Sequence, residues 1–361
     1  MDSIQIQGYK SIKNAELQIK PINILIGANG AGKSNFLSFF DFLNSIYEQR
    51  LKEYVSLNGG VDRMLFRGRE ITNEISAHVK FGPNGYSFTV EPGAEHFIYI
   101  SEGAWYKEHK WEIASNTERS TIKQFCSEEK GRGIFIKYFL DSFKKYHFHN
   151  TGKNSPFNQM SSVENDIYYL YERGENLGAF LYGMKHGHPK TYSRMLRTIQ
   201  SIAPYISDFF LQPNSNHLMH LRWKDRFSNR IYGVNDLSDG TIRFIALTAL
   251  FMQPELPSTL IIDEPELGLH PFAIVELAGM IKSASDRRIR NGLNRKCRVI
   301  VATQSPDLLN HFETEDIVTV DQREGATTFK RLDKKGLSHW LDEEGIGDLW
   351  QKYIIKGGQP E

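Results

Sequence analysis

The chain has 361 residues, of which 40% are hydrophobic and 24% are charged, proportions typical of a globular protein with a sizeable core. A formal net charge of +1 gives no global electrostatic reason for the chain to bind nucleic acid or a membrane surface. No apolar run approaches the length that spans a bilayer, and the N-terminus lacks the basic and apolar regions of a signal peptide, so we expect a cytoplasmic protein without a membrane partner.

A phosphate-binding loop follows the third predicted strand. Short strands over 2–7 and 15–20 come first, and the apolar run Ile22–Ile26 predicts a buried strand. Gly27–Ser34 then fits the pattern G-x-x-x-x-G-K-[ST], and a helix is predicted from Lys33 to about residue 54. Strand, glycine loop and helix N-terminus together form an anion site, because loop N–H groups and the helix dipole both favour phosphate oxygens.

This loop predicts ATP and Mg²⁺ as ligands. Lys33 can reach the β- and γ-phosphates, and the Ser34 hydroxyl can bind Mg²⁺. The residues that we expect to hold the nucleotide are Gly27, Asn29, Gly30, Ala31, Gly32, Lys33, Ser34 and Asn35.

The middle of the chain changes from a strand pattern to a helical one. Apolar and polar residues alternate over 73–113, around a turn at Pro83–Gly85, which predicts an antiparallel meander. From about residue 121 the pattern becomes helical, with aromatic side chains every fourth residue at Phe135, Phe139 and Phe143.

The last third alternates helices and strands. Helices are predicted over 241–252 and 271–285, strands over 259–262, 299–302 and 317–320, and a closing helical segment over 337–350. Continuous apolar strands between helices predict a parallel sheet that is covered on both faces.

Two further segments point to nucleotide hydrolysis. Leu260–Glu264 is an apolar strand that ends in two acids, of which Asp263 would hold Mg²⁺ and Glu264 would polarise the attacking water. Leu237–Thr241 reads L-S-D-G-T and resembles the L-S-x-G signature loop of ABC-type ATPases, whose contacts with nucleotide would here come from Ser238 and Gly240. Ser238 equally suits a plain helix N-cap. Residues 265–271 resemble the D-loop that follows the catalytic glutamate.

With these segments the chain resembles the compact prokaryotic ATPases related to RecF, SMC heads and the OLD (overcoming-lysogenization-defect) ATPases. The resemblance rests on Tyr9–Ser11, the phosphate loop, L-S-D-G-T, I-I-D-E-P-E-L-G-L-H-P and A-T-Q-S-P at 302–306. It implies an α/β ABC-ATPase head with a mixed or parallel sheet core, an antiparallel β meander, an inserted helical lobe and no coiled-coil arms. The nucleotide-binding domain would comprise 1–120 plus 236–361, and the mainly helical lobe 121–235.

The resemblance also implies a mechanism and partners. Such heads pair head to tail, so ATP on Gly27–Ser34 of one subunit would be capped by Ser238 and Gly240 of another, in a homodimer or higher homo-oligomer. Some relatives belong to phage-defence systems such as Septu and PARIS, or to retron-linked systems. A separate effector protein, a nuclease or a toxin, is therefore an expected partner.

Two positions depart from the family pattern. Gln304 stands where ABC proteins usually place the histidine that contacts the γ-phosphate, and an uncharged amide there predicts slow turnover. We count Gln304 with Glu264 among the catalytic candidates. The glutamine of the Q-loop is not assigned by any motif, and Gln159 is a candidate on residue type and rough position.

Other signals have plainer explanations. His147 and His149 share one face of a predicted strand, but without a third ligand nearby we read them as ordinary strand residues. His186 and His188 lie near a predicted helix end and suit capping. Cys126 and Cys297 form no C-x-x-C pair and predict free thiols. Pro306-Asp307 has no downstream (D/E)-x-K, so a nuclease site is not predicted.

The alternatives to an ATP-hydrolysing switch are a scaffold that binds ATP with negligible hydrolysis and a RecF-like DNA-binding ATPase. Contact with nucleic acid would use two basic groups, which could equally be solvated helix ends and surface residues. These groups are Arg287, Arg288, Arg290, Arg295, Lys296 and Arg298, and then Arg222, Lys224, Arg226 and Arg230.

Overall fold

A computed structural model of the protein describes residues 1–94, 96–128, 133–288, 296–334 and 344–355. Its N-terminal part has three short strands, then three helices, then four longer strands. In chain order they are β1 (Ser3–Tyr9), β2 (Ile12–Gln18), β3 (Ile22–Ile26), α1 (Lys33–Tyr47), α2 (Leu51–Leu57), α3 (Val61–Met64), β4 (Ile75–Phe81), β5 (Asn84–Pro92), β6 (Phe97–Tyr106) and β7 (His109–Thr117).

Helices and strands are interspersed in the rest of the chain. The middle of the chain gives α4 (Ile122–Glu128), α5 (Gly133–Asp141), β8 (Phe143–Tyr146), β9 (Ser161–Ser162), α6 (Leu177–Gly187), α7 (Pro189–Ile202), β10 (Ile206–Phe209), β11 (Leu218–Met219), β12 (Arg222–Asp225) and β13 (Ile231–Gly233). The last part gives α8 (Asp239–Met252), β14 (Thr259–Asp263), α9 (Pro271–Asp286), β15 (Arg298–Thr303), α10 (Pro306–Leu309), β16 (Ile317–Arg323), β17 (Ala326–Arg331) and α11 (Ile346–Gln351).

One six-stranded sheet has the order β17-β16-β3-β15-β14-β8, with β17 antiparallel and the other five strands parallel. Every residue of β3 is buried, as expected for a parallel strand covered on both faces. The register pairs Ile26 with Thr303, Asp263 with Ala302, and Ile262 with Tyr146. The carboxyl ends of β3, β15, β14 and β8 therefore share one edge, where ligands bind in sheets of this kind.

The second six-stranded sheet is antiparallel, in the order β2-β1-β4-β5-β6-β7. Its pairings confirm the predicted meander over 73–113. Helix α1 packs between the two sheets, with Phe39 stacked on Phe88 of β5 and Phe40 against Phe143 of β8. The helix buries aromatic side chains toward both sheets, while Ser38 and Asp41 are half-buried.

Two predicted elements differ from the structure. The helix expected to run to about residue 54 ends at Tyr47, because the chain turns at Gln49, whose φ is +59°, before α2 begins. Phe143 was predicted to continue the helical stripe but begins β8, since pairing with β14 across the parallel sheet prevails over local spacing. The closing helix predicted over 337–350 lies partly outside the described residues, and α11 begins at Ile346.

The predicted division into 1–120 plus 236–361 and a lobe of 121–235 stays a prediction. The 121–235 segment does contain α6 and α7, and it also supplies β8 to the parallel sheet and the strands of a small sheet ordered β10-β12-β13. In the described parts of the chain the longest helix, α9, has 16 residues, and no helix is long and apolar enough to cross a membrane.

Candidate functional site

The phosphate-binding loop lies between β3 and α1 at the carboxyl edge of the parallel sheet. The Lys33 side chain is buried inside the loop, where its ammonium donates to the carbonyls of Gly27 (2.5 Å) and Ala28 (3.1 Å). Burial lowers the pKa of Lys33, and the charges of Glu264, Asp263 and Glu266 oppose that shift. Ser34 is exposed at the first turn of α1, so its hydroxyl is open to a ligand.

A hairpin formed by β16 and β17 packs against the phosphate-binding loop and supports it. Gly32 has a φ of +109°, and a Cβ there would lie 2.0 Å from Thr327 Oγ1, so no side chain fits. Thr327 Oγ1 donates to the Ala31 carbonyl (3.1 Å), and Gln322 Nε2 donates to that of Gly30 (2.8 Å). The loop conformation is therefore held by residues almost 300 positions away, at sequence separations of 296 and 292.

The Tyr9–Ser11 segment contacts both this hairpin and helix α1, and so supports the phosphate-binding loop as well. Ser11 Oγ lies 2.7 Å from Thr327 Oγ1 and accepts a 2.7 Å hydrogen bond from Asn35 Nδ2. Asn35, which we predicted as a nucleotide contact, thus has its amide directed to Ser11. Ser11 and Thr327 were not among the predicted site residues, although the Tyr9–Ser11 motif had marked the segment.

Three predicted site residues meet in one hydrogen-bonded chain. The Gln304 side-chain amide donates to Glu264 Oε1 at 2.7 Å and to Asn29 Oδ1 of the phosphate loop at 2.8 Å. Gln304 follows β15, which lies between β3 and β14, so its position in the sheet allows it to reach both neighbours. The Gln304 side chain thereby links the glutamate to the phosphate loop.

The two acids at the end of β14 differ in environment. Burial raises the pKa of Asp263, with Lys145 acting in the opposite direction. Glu264 adopts a left-handed backbone conformation with a φ of +42° while its N–H donates to the Ala302 carbonyl (2.8 Å). A non-glycine residue in this conformation is strained, and such strain is concentrated at functional sites.

Glu266 is a further site residue that the sequence reasoning missed. It is 9% exposed, and its Oε1 accepts from Thr303 Oγ1 (2.5 Å) and from the Gln304 N–H (3.4 Å). Among the described residues its Oε2 has no hydrogen-bond partner, and burial raises the pKa of the carboxyl. The contacts fix the backbone next to Gln304. The second glutamate of D-E-P-E was the available signal, but it was read only as part of the D-loop.

The signature-like loop lies at the start of α8. Ser238 is exposed and caps this helix, accepting from the Thr241 N–H at 3.2 Å. The described residues show no hydrogen bond between Ser238 or Gly240 and Gly27–Ser34 of the same chain. The structure thus brings Asn29, Lys33, Asp263, Glu264 and Gln304 together, whereas Ser238 of the signature-like loop is exposed and has no hydrogen bond to the described phosphate loop.

The end of β8 carries His147 and His149. His149 Nε2 donates to the Asp263 carbonyl at 2.9 Å, which places the proton on that nitrogen. The two rings lie 4.1 Å apart, and burial, with the neighbouring His149 and Lys145, lowers the pKa of His147 to about 4. The described residues hold no cluster of three His, Cys, Asp or Glu side chains suited to a metal ion.

The Q-loop candidate Gln159 stays a prediction. It is exposed, and the adjacent Asn158 donates to Asn235 Oδ1 (2.9 Å), just before the signature-like loop. His149, which follows β8, contacts the carboxyl end of β14. Of the other predicted groups, His186 Nδ1 donates to the Tyr182 carbonyl at 2.8 Å, and His188 joins α6 to α7. Pro306-Asp307 begins α10.

The two basic groups have different surroundings. In the first, Arg287 donates to the carbonyls of Phe251 and Pro254, Lys296 pairs with Asp286, and Arg298 pairs with Asp2; Arg290 and Arg295 lie outside the described residues. In the second, Arg222 and Lys224 lie over the Phe210 ring. Arg226 and Arg230 flank Phe227, which is 80% exposed at the tip of the β12–β13 hairpin.

The parallel sheet with its phosphate loop, the acidic end of β14 and the capped helix α8 form the arrangement that the resemblance to ABC-type ATPase heads predicts. The sequence model of the family described as "AAA domain, putative AbiEii toxin, Type IV TA system" matches residues 22–310, and the chain belongs to this family. No curated protein matches the sequence.

Solved structures of SMC heads are similar to this chain. An SMC head bound to the C-winged helix domain of ScpA has 17% sequence identity and a TM-score of 0.53, covering 92% of this chain and 98% of that chain. The SMC head domain from Thermotoga maritima has 13% identity and a TM-score of 0.41, with the same coverage. The first likeness confirms the predicted head-type α/β fold, and family and fold together support ATP binding and hydrolysis as the general activity.

Proposed function

We propose that the protein is an ATP-hydrolysing switch in which Glu264 is the general base. The observation that carries the proposal is the hydrogen-bonded chain from Asn29 through Gln304 to Glu264. It places a carboxylate beside the loop that would hold the γ-phosphate, as activation of an attacking water requires. Within this series of hydrogen bonds, Gln304 orients both the Glu264 carboxylate and the phosphate-binding loop.

The nucleotide would be held by the loop from Gly27 to Ser34. The buried Lys33 ammonium, already directed into the loop, would bind the phosphate oxygens, and Gly30, Ala31 and Gly32 would supply backbone N–H groups. Ser34 Oγ and the Asp263 carboxylate are oxygen donors of the kind that Mg²⁺ prefers. The ion would neutralise charge on the phosphates when bound.

We propose further that the second half of each site comes from another copy of the chain. Ser238 and Gly240 are exposed or half-buried and have no hydrogen bond with their own phosphate loop in the described residues. In a head-to-tail pair they would cap the nucleotide held by the partner. ATP would then join two subunits, and hydrolysis would release them.

A steady-state assay of phosphate release tests the proposal. We expect slow but measurable hydrolysis that requires Mg²⁺ and is absent from Lys33→Ala protein. Wild-type activity no higher than that of Lys33→Ala protein would favour the ATP-binding scaffold instead.

Replacing Gln304 tests the proposed orienting role. Gln304→Ala should lower kcat by up to about 100-fold, the scale of effect of a misplaced catalytic group, and should change the ATP dissociation constant by a much smaller factor. Gln304→His, which restores a hydrogen-bond donor, should retain more activity. Gln5→Ala is the matched control, since the same change at an exposed glutamine on β1 should leave kcat intact. Equal rates for Gln304→Ala and wild type would remove Gln304 from the mechanism.

The role that we propose in the cell is control of a separate effector, a nuclease or toxin, in prokaryotic anti-phage defence. The family description names a toxin system, and a head of this fold has been solved bound to another protein, which supports a partner-controlling role. Glu264→Gln protein should be purified from its own host with the neighbouring genes intact. We expect the effector to copurify with it in the presence of ATP and to dissociate when ATP is removed. The absence of any ATP-dependent partner would count against this role.

One observation favours a second candidate function, a RecF-like DNA-binding ATPase. Arg226 and Arg230 flank the exposed Phe227, and neither has an ion-pair partner among the described residues. Cations beside an exposed aromatic ring suit the backbone and bases of a single strand. The four hairpin cations of this surface are Arg222, Lys224, Arg226 and Arg230.

Mutation of the hairpin tests this candidate by its salt dependence. Arg226→Ala/Arg230→Ala protein should bind single-stranded DNA more weakly, with a slope of log K against log salt reduced by about 1.4, since each phosphate contact contributes about 0.7. Lys20→Ala/Lys123→Ala removes the same charge from cations paired with Glu315 and Glu48, outside both basic groups, and should leave the slope unchanged. Wild-type protein without salt-sensitive, ATP-dependent DNA binding would exclude the candidate.

A further inference from the structure

Arg243 is a buried cation on the helix that follows the signature-like loop. It is 8% exposed, and its guanidinium donates to three backbone carbonyls. Nε donates to Phe148 (3.0 Å), Nη1 to Leu267 (2.7 Å) and Nη2 to His149 (2.8 Å). Burying a cation is costly unless its donors are satisfied, so a side chain held in this way has one strongly preferred position.

The three carbonyls belong to two segments that border the proposed catalytic centre. Phe148 and His149 follow β8, and the His149 ring bonds in turn to the Asp263 carbonyl. Leu267 lies in the loop after β14, and its N–H donates to the Glu264 carbonyl at 3.2 Å. The guanidinium of Arg243 is therefore linked to each acid at the end of β14 through one intervening residue. His149 is the link to Asp263, and Leu267 is the link to Glu264.

The signature-like loop is packed against the same region. A Cβ on Gly240 would lie 2.3 Å from the Gly268 carbonyl oxygen, so the two backbones are in direct contact. Tyr205 OH lies 3.2 Å from Thr241 Oγ1 on the other side of this turn. A shift of the Leu267–Gly268 backbone would thus move Gly240 or open a gap beside it, since packed interiors transmit displacement.

We propose that Arg243 is a positioning residue that couples the catalytic end of β14 to the signature-like loop of the same chain. In the head-to-tail assembly, this loop caps the nucleotide of the other subunit, so Arg243 carries the state of one nucleotide site to the next. This inference rests on the proposed function. It names Arg243, which contacts neither phosphate loop nor acids, as the link between two sites.

The chemistry of the side chain explains why arginine is needed. A planar guanidinium has five donors in a fixed fork and can hold carbonyls of two different segments at once. A lysine ammonium at the same place keeps the charge but cannot reproduce this geometry. Arg243→Lys therefore separates the geometric role from the charge.

The test compares nucleotide binding with assembly. We expect Arg243→Lys and Arg243→Gln proteins to bind ATP as the wild type does. In the Glu264→Gln background, however, their ATP-dependent dimers should be weaker by about 5- to 150-fold, the usual range of coupling between sites. Fluorescence titration with a labelled ATP analogue measures the first quantity, and sedimentation velocity measures the second.

Arg287→Lys is the matched control. Arg287 also donates to two carbonyls, of Phe251 (3.2 Å) and Pro254 (2.7 Å), but at the far end of α8. Its replacement should lower the melting temperature without weakening the ATP-dependent dimer.

Two results would overturn the inference. The first is unchanged dimerisation of both Arg243 variants, and the second is a dimer defect that Arg287→Lys reproduces at an equal loss of melting temperature. If Glu264→Gln protein with Arg243 intact fails to dimerise with ATP, the proposed function fails first, and the two failures are thereby distinguished.

Discussion

Glu264→Gln protein is expected to bind ATP with wild-type affinity and to hydrolyse it about 10²- to 10⁴-fold more slowly, the usual contribution of a general base. The amide is nearly the same size as the carboxylate and can still accept the hydrogen bond from Gln304 Nε2, so the local geometry should survive. It cannot take a proton from water. Single-turnover hydrolysis measures the rate, and equilibrium dialysis measures the affinity.

Glu276→Gln is the control for this substitution. Glu276 lies half-buried on α9, away from the end of β14, and the same change there should leave the rate unchanged. Hydrolysis by Glu264→Gln protein at the wild-type rate would show that Glu264 is not the base.

Lys33→Ala is expected to weaken ATP binding at least about 100-fold. The Lys33 ammonium lies within the loop, donating to Gly27 and Ala28, and would exchange these carbonyls for phosphate oxygens. Charge-assisted hydrogen bonds contribute about 1.5–3 kcal/mol each, and about 2.7 kcal/mol corresponds to 100-fold in affinity. Isothermal titration calorimetry with Mg²⁺ and ATP measures the loss.

Lys52→Ala provides the comparison for Lys33→Ala. Lys52 is exposed on α2, outside the phosphate loop, so its removal should leave the dissociation constant within about twofold, as exposed surface charges contribute little. A Lys33→Ala protein that binds ATP as the wild type does would contradict the assignment of Gly27–Ser34 as the nucleotide site.

The site residues that could be predicted from the sequence lie at or just after the ends of strands. Ile26, Asp263 and Thr303 each end an apolar strand, and strand ends of a parallel sheet meet at one edge. Gly27–Ser34, Asp263, Glu264 and Gln304 could therefore be placed together from motifs and chain order alone. The outline of the α/β fold followed from the same strands and from the meander over 73–113.

The remaining contacts depend on pairings that no local pattern records. Arg243 bonds to Phe148 across 95 positions, and Ser11 bonds to Thr327 across 316. Phe143 fitted a helical spacing and became a strand because β14 offered a pairing edge. His149 reaches the Asp263 carbonyl only through that pairing.

The central claim, a nucleotide shared between two subunits, is tested most directly by sedimentation velocity of Glu264→Gln protein with Mg²⁺ and ATP. The expected result is a monomer without nucleotide and a dimer or larger assembly with ATP. Adding Ser238→Arg should abolish this assembly while a labelled ATP analogue still binds, because the exposed Ser238 lies outside its own phosphate loop. A Glu264→Gln protein that binds ATP and keeps the same mass, or a double variant that assembles equally well, would contradict the account.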